Sequence, residues 1–272
     1  MLTREVERLV SEPDAPGEDA ATMAITQLLA ERTAEMHGVL AGGGAGFQPE
    51  RFSLLWQRSI LQSLRASLRE TQRLLRRLVG DLPPDAVPLA QTVVEGGDGL
   101  LAPFEPLRTR KLDALRIRVH GDFHLGQALW TGHDVVFIDF EGEPGRSAGE
   151  RAIKRSPLMD VAGMLRSFDY AGRVALTTSE ERGRIGEGQR GLLDHWRKDW
   201  TERAQTNYWT SYVKALNAAD RPLIPTDPDD ARLLLDAHVL IKALYEVRYE
   251  VANRPSWVGW PLAAIAQLLE KS

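Results

Sequence analysis

The sequence predicts a mainly α-helical protein with a small β insert. Three observations carry this reading. Apolar residues recur near a period of 3.6 through most of the chain, as in residues 21–40 and 55–79. Two short runs, Leu115–Val119 and Val135–Asp139, instead have the alternation or β-branched content of strands. Prolines and glycines gather between these runs rather than inside them.

Taken in order, residues 1–19 form an N-terminal extension: a short helix or strand over 1–11, then a polar loop holding Pro13 and Pro16. Residues 20–272 form one lobe. Its first helix spans 21–40, with Ile25, Leu28, Leu29, Met36 and Leu40 on one face, and the glycine-rich stretch 42–46 ends it. That stretch lacks the preceding strand and following GK[ST] of a phosphate cradle, so it is read as a linker. A long helix follows over 55–79. Ile60, Leu61, Leu64, Leu68, Leu74, Leu75 and Leu78 make its apolar stripe, and arginines make a solvated face. Pro83 and Pro84 break the pattern, and a further helix is expected over 98–113. Strand 115–119, a loop from His120 to Gln127, a tight turn at 131–134 and strand 135–139 come next. Residues 141–157 are polar and irregular. Helices are expected over 158–174, 183–218, 229–252 and 260–270.

Composition narrows the function classes. A net charge of -4 gives no basic domain for nucleic acid. The absence of cysteine excludes disulfides and thiolate metal sites, and fits a reducing compartment. No apolar run approaches the roughly 18 residues of a membrane span. The first residues lack the apolar core of a signal peptide. A cytoplasmic protein without nucleic-acid or membrane partners is the expectation.

The chemistry concentrates in two segments, HGDFHLGQ (120–127) and VVFIDFEGE (135–143). Asp122 lies five residues before an amide, Gln127, and Asp139 closes a hydrophobic run. An aspartate that receives a hydroxyl proton, with an amide and a second aspartate that hold magnesium, is the donor set of phosphoryl transfer. Gly121 gives the backbone freedom beside Asp122, and Val136, Phe137 and Ile138 are expected to anchor Asp139 in buried strand structure. His120 suits a hydrogen-bonding brace of the loop, His124 a brace or a substrate contact. Glu141 and Glu143 lie beyond the second strand, where one of them can face substrate or metal. Asp160 suits the N-terminal turn of the helix that follows it. The helix over 240–255 sets Tyr245, Glu246, Tyr249 and Glu250 beside an apolar side. A tyrosine ring can cover a sugar face while a carboxylate bonds its hydroxyls. Trp257 and Trp260 suit core packing or the edge of such a pocket.

HGDFHLGQ, DFEGEP, RSPLMDVAGMLRSFDYA and ALYEVRYE together resemble the C-terminal lobe of bacterial maltokinases. These belong to the aminoglycoside-phosphotransferase and protein-kinase-like superfamily, and some are fused to trehalose synthase. The resemblance covers about residues 20–270 and implies a protein-kinase-like C-terminal lobe. It implies phosphorylation of maltose on its anomeric hydroxyl with ATP and Mg2+, giving maltose 1-phosphate for α-glucan synthesis. Asp122 then matches the catalytic aspartate, with His120 as its brace. Gln127 and Asp139 match the residues that hold the metal and its nucleotide. His124, Glu141, Tyr249 and Glu250 fall on the substrate side. The chain departs from the family ahead of this loop. The segments before Leu115 read as helices, and the first lysine is Lys111, badly placed to clamp a nucleotide. The ATP-clamping N-terminal lobe is therefore expected from elsewhere, as a separate lobe or a trehalose synthase partner chain, and the isolated chain is expected to bind ATP poorly. The alternatives are another small-molecule kinase of the aminoglycoside or choline class, and a degenerate lobe without catalysis.

Overall fold

The structure is a computed structural model, and it describes residues 19–142, 145, 147–219 and 222–270. The expected extension over 1–19 lies outside the described residues, except that Asp19 opens the first helix. The fold is mostly helical with short strands, as the periodicity predicts. The chain divides into two compact units.

The first unit comprises Met1–Gln48, His120–Ile153 and Met164–Arg221. Its frame is α1 (Asp19–Gly42) packed against the long α6 (Arg190–Ala218). Leu29, Ala30 and Ala34 are buried, as are Ala204, Tyr208 and Tyr212. Buried hydroxyls in such a seam need partners. Tyr208 Oη donates to Thr33 Oγ1 at 3.0 Å, and Tyr212 Oη meets His37 Nδ1 at 2.8 Å. From Met164 onward, α5 (Leu158–Glu181) also belongs here, with Phe168 edge-on to Trp200 and Tyr208. Beside Phe168, the buried Asp169 accepts from Arg166 at 3.1 Å, Arg173 at 2.9 Å and Arg197 at 3.2 Å. Burial pushes the Asp169 carboxyl up, but the three guanidinium groups outweigh it and hold the group below its ordinary range.

The β insert of this unit is an antiparallel hairpin, β3 (Ala128–Trp130) and β4 (Val135–Phe137), registered Ala128↔Phe137 and Trp130↔Val135. Its turn, Thr131–Asp134, is held by Thr131 N–H donating to Asp134 O at 2.9 Å. Arg32 of α1 grips Asp134 with two donors, at 2.8 and 3.2 Å. A short helix, α4 (Ala148–Arg151), starts at a capping box between Ser147 and Glu150, inside the stretch expected to be irregular.

The second unit comprises Pro49–Val119, Lys154–Gly163 and Pro222–Ser272. It packs α2 (Leu54–Leu78), α3 (Val87–Glu95), α7 (Pro228–Asn253) and α8 (Gly259–Glu270) around Leu61, Leu64, Leu68, Leu75, Leu244 and Ile265. The buried stripe of α2 includes polar members that the apolar pattern omitted. Gln72 Nε2 bonds Val93 O at 2.9 Å, and Thr71 Oγ1 accepts from Arg248 at 2.9 Å. Strand β2 (Leu115–Arg116) pairs with β1 (Glu50–Arg51), and Ile117 adds a bridge to Arg155.

Three expectations need correction. The helix expected over 98–113 stops at Arg108 and is 3-10 in form, because Pro103 and Pro106 remove donors from the i→i−4 ladder. Residues 87–95, for which no helix was expected after the break at Pro83 and Pro84, form one, with Pro88 in its first turn, where no donor is needed. The helix expected from 183 begins at Arg190, after α5 has run on to Glu181 and Gly183 has turned the chain with φ +66°.

The second unit also holds a buried histidine with a consequence for stability. Burial, with Arg155 adding to it and Asp160 opposing, lowers the His238 pKa from 6.5 to about 4. The fold therefore keeps His238 neutral while the unfolded chain takes up a proton below pH 6.5. Stability is full above that pH and falls as the pH drops towards 4, by on the order of 3 kcal/mol. Urea midpoints at pH 7, 5.5 and 4.5 should fall in that order, and His238→Gln should flatten the slope. An unchanged slope in that variant would remove His238 as its source.

Candidate functional site

The site is built from two loops of the first unit. The first, His120–Gln127, ends in a 3-10 turn (Leu125–Gln127) capped by His124, whose Nδ1 accepts from Gly126 N–H at 3.0 Å. Ser167 of α5 supports the same turn by accepting from Leu125 N–H at 3.2 Å. Gln127 is thereby delivered, buried, at the start of β3. The second loop, Ile138–Gly142, leaves β4.

Several contacts bind the loops together. His120 is 1% exposed, and its Nε2 lies 2.8 Å from Ile138 O. A carbonyl can only accept, so Nε2 carries the proton. The imidazole ring sits between Phe123 and Phe140, with centroids 5.1 and 4.9 Å away. Gly121 and Gly142 have φ of +87° and +77°, and a Cβ on Gly121 would lie 3.5 Å from the Gly142 Cα. Gln127 Nε2 donates to Asp139 Oδ2 at 3.1 Å. Asp139 has φ +62°, the one non-glycine with positive φ among the described residues. Such a backbone persists where surrounding contacts impose it, and it clusters at functional sites.

These ties place Asp122, Gln127 and Asp139 on two loops in mutual contact. Asp122 is half-buried and forms no hydrogen bond or ion pair among the described residues. Asp139 and Glu141 are exposed, and Glu143 lies outside the described residues. The other predicted substrate residues belong to the second unit. Tyr249 is 43% exposed, stacked on Tyr245 at 6.2 Å and approached by the Arg254 guanidinium at 5.4 Å. Glu250 is buried, and both its oxygens accept from Arg254, at 2.8 and 2.9 Å. Trp257 and Trp260 stack at 4.1 Å. Asp160 is buried in the first turn of α5.

The strand that leads to Asp139 is less buried than expected. Only Val135 is fully covered, whereas Val136 is 50% and Phe140 51% exposed. Val136 and Ile138 occupy alternate positions, and with Leu129, which pairs with Val136, they leave one face of the hairpin as an open apolar surface beside Asp139. Ser167 and Arg151, whose Nη1 donates to Glu141 O at 2.8 Å, are two supports that the sequence did not announce. Neither stands at a spacing that links it to the loops.

The donor set discriminates between metals. No group of three or more His, Asp or Glu side chains converges among the described residues. Gln127 and Asp139 offer two oxygen-bearing side chains instead. That fits magnesium held by one or two protein oxygens together with phosphates, and does not fit a cage made wholly of protein ligands.

No family model matches the chain. It is 32% identical over 174 residues to a glucosamine kinase from Streptacidiphilus jiangxiensis, covering 58% of this chain and 34% of that protein. It is 30% identical over 152 residues to a glucosamine kinase from Mycolicibacterium smegmatis, covering 56% and 34%. The chain thus spans about a third of the length of the curated relatives it matches. A glucosamine kinase solved with glucosamine, ADP and inorganic phosphate superposes with a TM-score of 0.76 at 22% identity, over 99% of this chain and 60% of that one. A second glucosamine kinase crystal form gives 0.75 at 23% identity, over 99% and 57%. Over nearly its whole length, then, the chain shares a fold with solved glucosamine kinases, and it resembles two curated ones in sequence.

Proposed function

We propose that this chain supplies the catalytic lobe of an ATP-dependent sugar kinase. The observation that carries the reading is the joining of the Asp122 loop to the Gln127–Asp139 pair in one unit. Asp122, with no competing partner among the described residues, orients the acceptor hydroxyl and receives its proton. The hydroxyl oxygen forms a bond to the γ-phosphorus as the bond from that phosphorus to the ADP oxygen breaks. Gln127 and Asp139 would hold Mg2+, which neutralises phosphate charge when bound. His120 keeps the two loops in register, and His124 and Glu141 face the substrate. The apolar hairpin face of Leu129, Val136 and Ile138 suits the flat face of a nucleotide base.

Maltose, implied by the sequence resemblance, and glucosamine, the substrate in the relatives' name, are the two acceptors that this reading puts first. The remaining nucleotide cover is assigned to polypeptide outside this sequence, in the same protein or in a partner such as a trehalose synthase fusion. A phosphoryl-transfer assay with ATP, Mg2+ and a panel of maltose, glucosamine, an aminoglycoside and choline tests the whole. It should be run on the chain alone and with neighbouring gene products. Transfer to a sugar supports the reading, transfer only to the cationic drug or choline replaces it, and no transfer in any assembly rejects it.

In the second unit we assign Tyr249 and Glu250 to the sugar. Tyr249 offers its exposed ring, and the buried Glu250 acts through Arg254, which it holds beside that ring. Tyr249→Ala should weaken sugar affinity about fivefold, in line with an aromatic contact of roughly 1 kcal/mol. Glu250→Gln should weaken it also, by loosening Arg254. Calorimetric titration checks both; parental affinity in two folded variants would leave this helix as scaffold.

A further inference from the structure

We infer that Arg151 is a positioning residue, one that holds the Asp139 loop in its metal-binding conformation. The inference rests on the phosphotransfer reading of Asp139. Its basis is a bracket around that residue. Upstream, His120 holds the carbonyl of Ile138; downstream, Arg151 holds the carbonyl of Glu141 at 2.8 Å. Between the two brackets lie Asp139 and Phe140 alone.

The backbone inside the bracket is costly at Asp139, whereas Gly142 beside it adopts its conformation without strain. Asp139 at φ +62° and Gly142 at φ +77° are both left-handed. An L-residue leaves that region unless its surroundings over-determine it. Arg151 supplies such surroundings in two ways. Its guanidinium fixes the Glu141 carbonyl. Its stem closes on Gly142, where a Cβ would meet Arg151 Cδ at 3.4 Å and Cγ at 3.5 Å. Gly142 in turn lies against Gly121, the neighbour of Asp122. One side chain thus presses the metal loop onto the proton-accepting loop.

Arg151 is also free to do this. Among the described residues it has no carboxylate partner, and its Nε is buried without a hydrogen bond. Its position is set locally, since it is the last residue of α4, whose start is fixed by the Ser147–Glu150 capping box. A surface arginine kept for solubility would have neither the buried Nε nor the carbonyl contact.

Arg151→Met tests the inference, because it preserves the stem and deletes the donors. Hydrogen exchange of the 139–142 amides and Mn2+ affinity by water-proton relaxation are read on the same protein, with Asp139→Asn as control. Arg151→Met should speed exchange in 139–142 at least about tenfold, leave the other helices unchanged, and weaken Mn2+ about tenfold, the low end for loss of a residue supporting a metal ligand. Parental exchange, parental Mn2+ affinity, or faster exchange throughout the first unit would each overturn it. If Asp139→Asn binds Mn2+ like the parent, the metal reading itself fails and the inference falls with it. If only Arg151→Met is silent, the metal reading stands and the inference alone is lost.

Discussion

Replacing Asp122 by asparagine is expected to lower kcat between about 10²- and 10⁴-fold, the range for removing a general base. The fold should not notice. Asp122 is half-buried and bonds nothing among the described residues, so the amide breaks no contact. The sugar KM should change little, because an asparagine carbonyl still accepts from a hydroxyl although it cannot keep the proton. Steady-state rates in the assembly that transfers phosphate best, with the melting temperature beside them, check this. A variant within threefold of the parent would mean that the proton leaves by another route, and Asp122 would lose its role.

Asp169→Ala is expected to have the largest effect on stability. Asp169 stands at the centre of Arg166, Arg173 and Arg197, all on α5 or α6 and mostly buried. Removing it takes the shared carboxylate from three guanidinium groups in low dielectric, while Asp194 still meets Arg197 at 2.9 Å. Breaking a buried ion network from one side costs about 3–5 kcal/mol. In a domain of this size each kcal/mol is worth roughly 2–4 °C, so the first unit should melt on the order of 10 °C lower. The carboxyl is held low by its arginines, so its stabilisation is present at neutral pH and disappears as the pH falls through that lowered value. Calorimetry at pH 7 should show the drop. A shift of only a degree or two would show that water reaches the arginines and screens them.

Different parts of this molecule were legible in the sequence to different degrees, for physical reasons. The helices with a long repeat were plain, because burial imposes a 3.6 period on Leu61, Leu64, Leu68 and Leu75. The short strands were half visible. Val135–Phe137 carries β-branched residues, but Ala128–Trp130 is only three residues long and Glu50–Arg51 only two, too few for a period. The helix Val87–Glu95 was missed, because nine residues are too few to show a clear period after the break at Pro83 and Pro84. In the site, Asp122, Gln127 and Asp139 announced themselves by spacing along adjoining segments, and the structure sets them on loops joined by His120 and the Gln127–Asp139 bond. Arg151 could not announce itself, because its tie to Glu141 is a single contact across an irregular turn. Backbone sign is equally silent: nothing in the letters of DFEG says that its aspartate is left-handed.

The left-handed backbone at Asp139 decides which substitutions there can be interpreted. At φ +62° the position tolerates Gly, Asn and Asp far better than a branched or bulky residue. Loss of function in a valine or leucine variant would therefore mix a folding defect with a missing ligand. Asparagine alone removes the charge while keeping both size and backbone preference. Glycine relaxes the loop and deletes the side chain together. A saturation library at this codon, sorted for folded protein, should thus enrich the same few residues before any selection for catalysis is applied. Mutational tolerance at 139 reports geometry first and chemistry second.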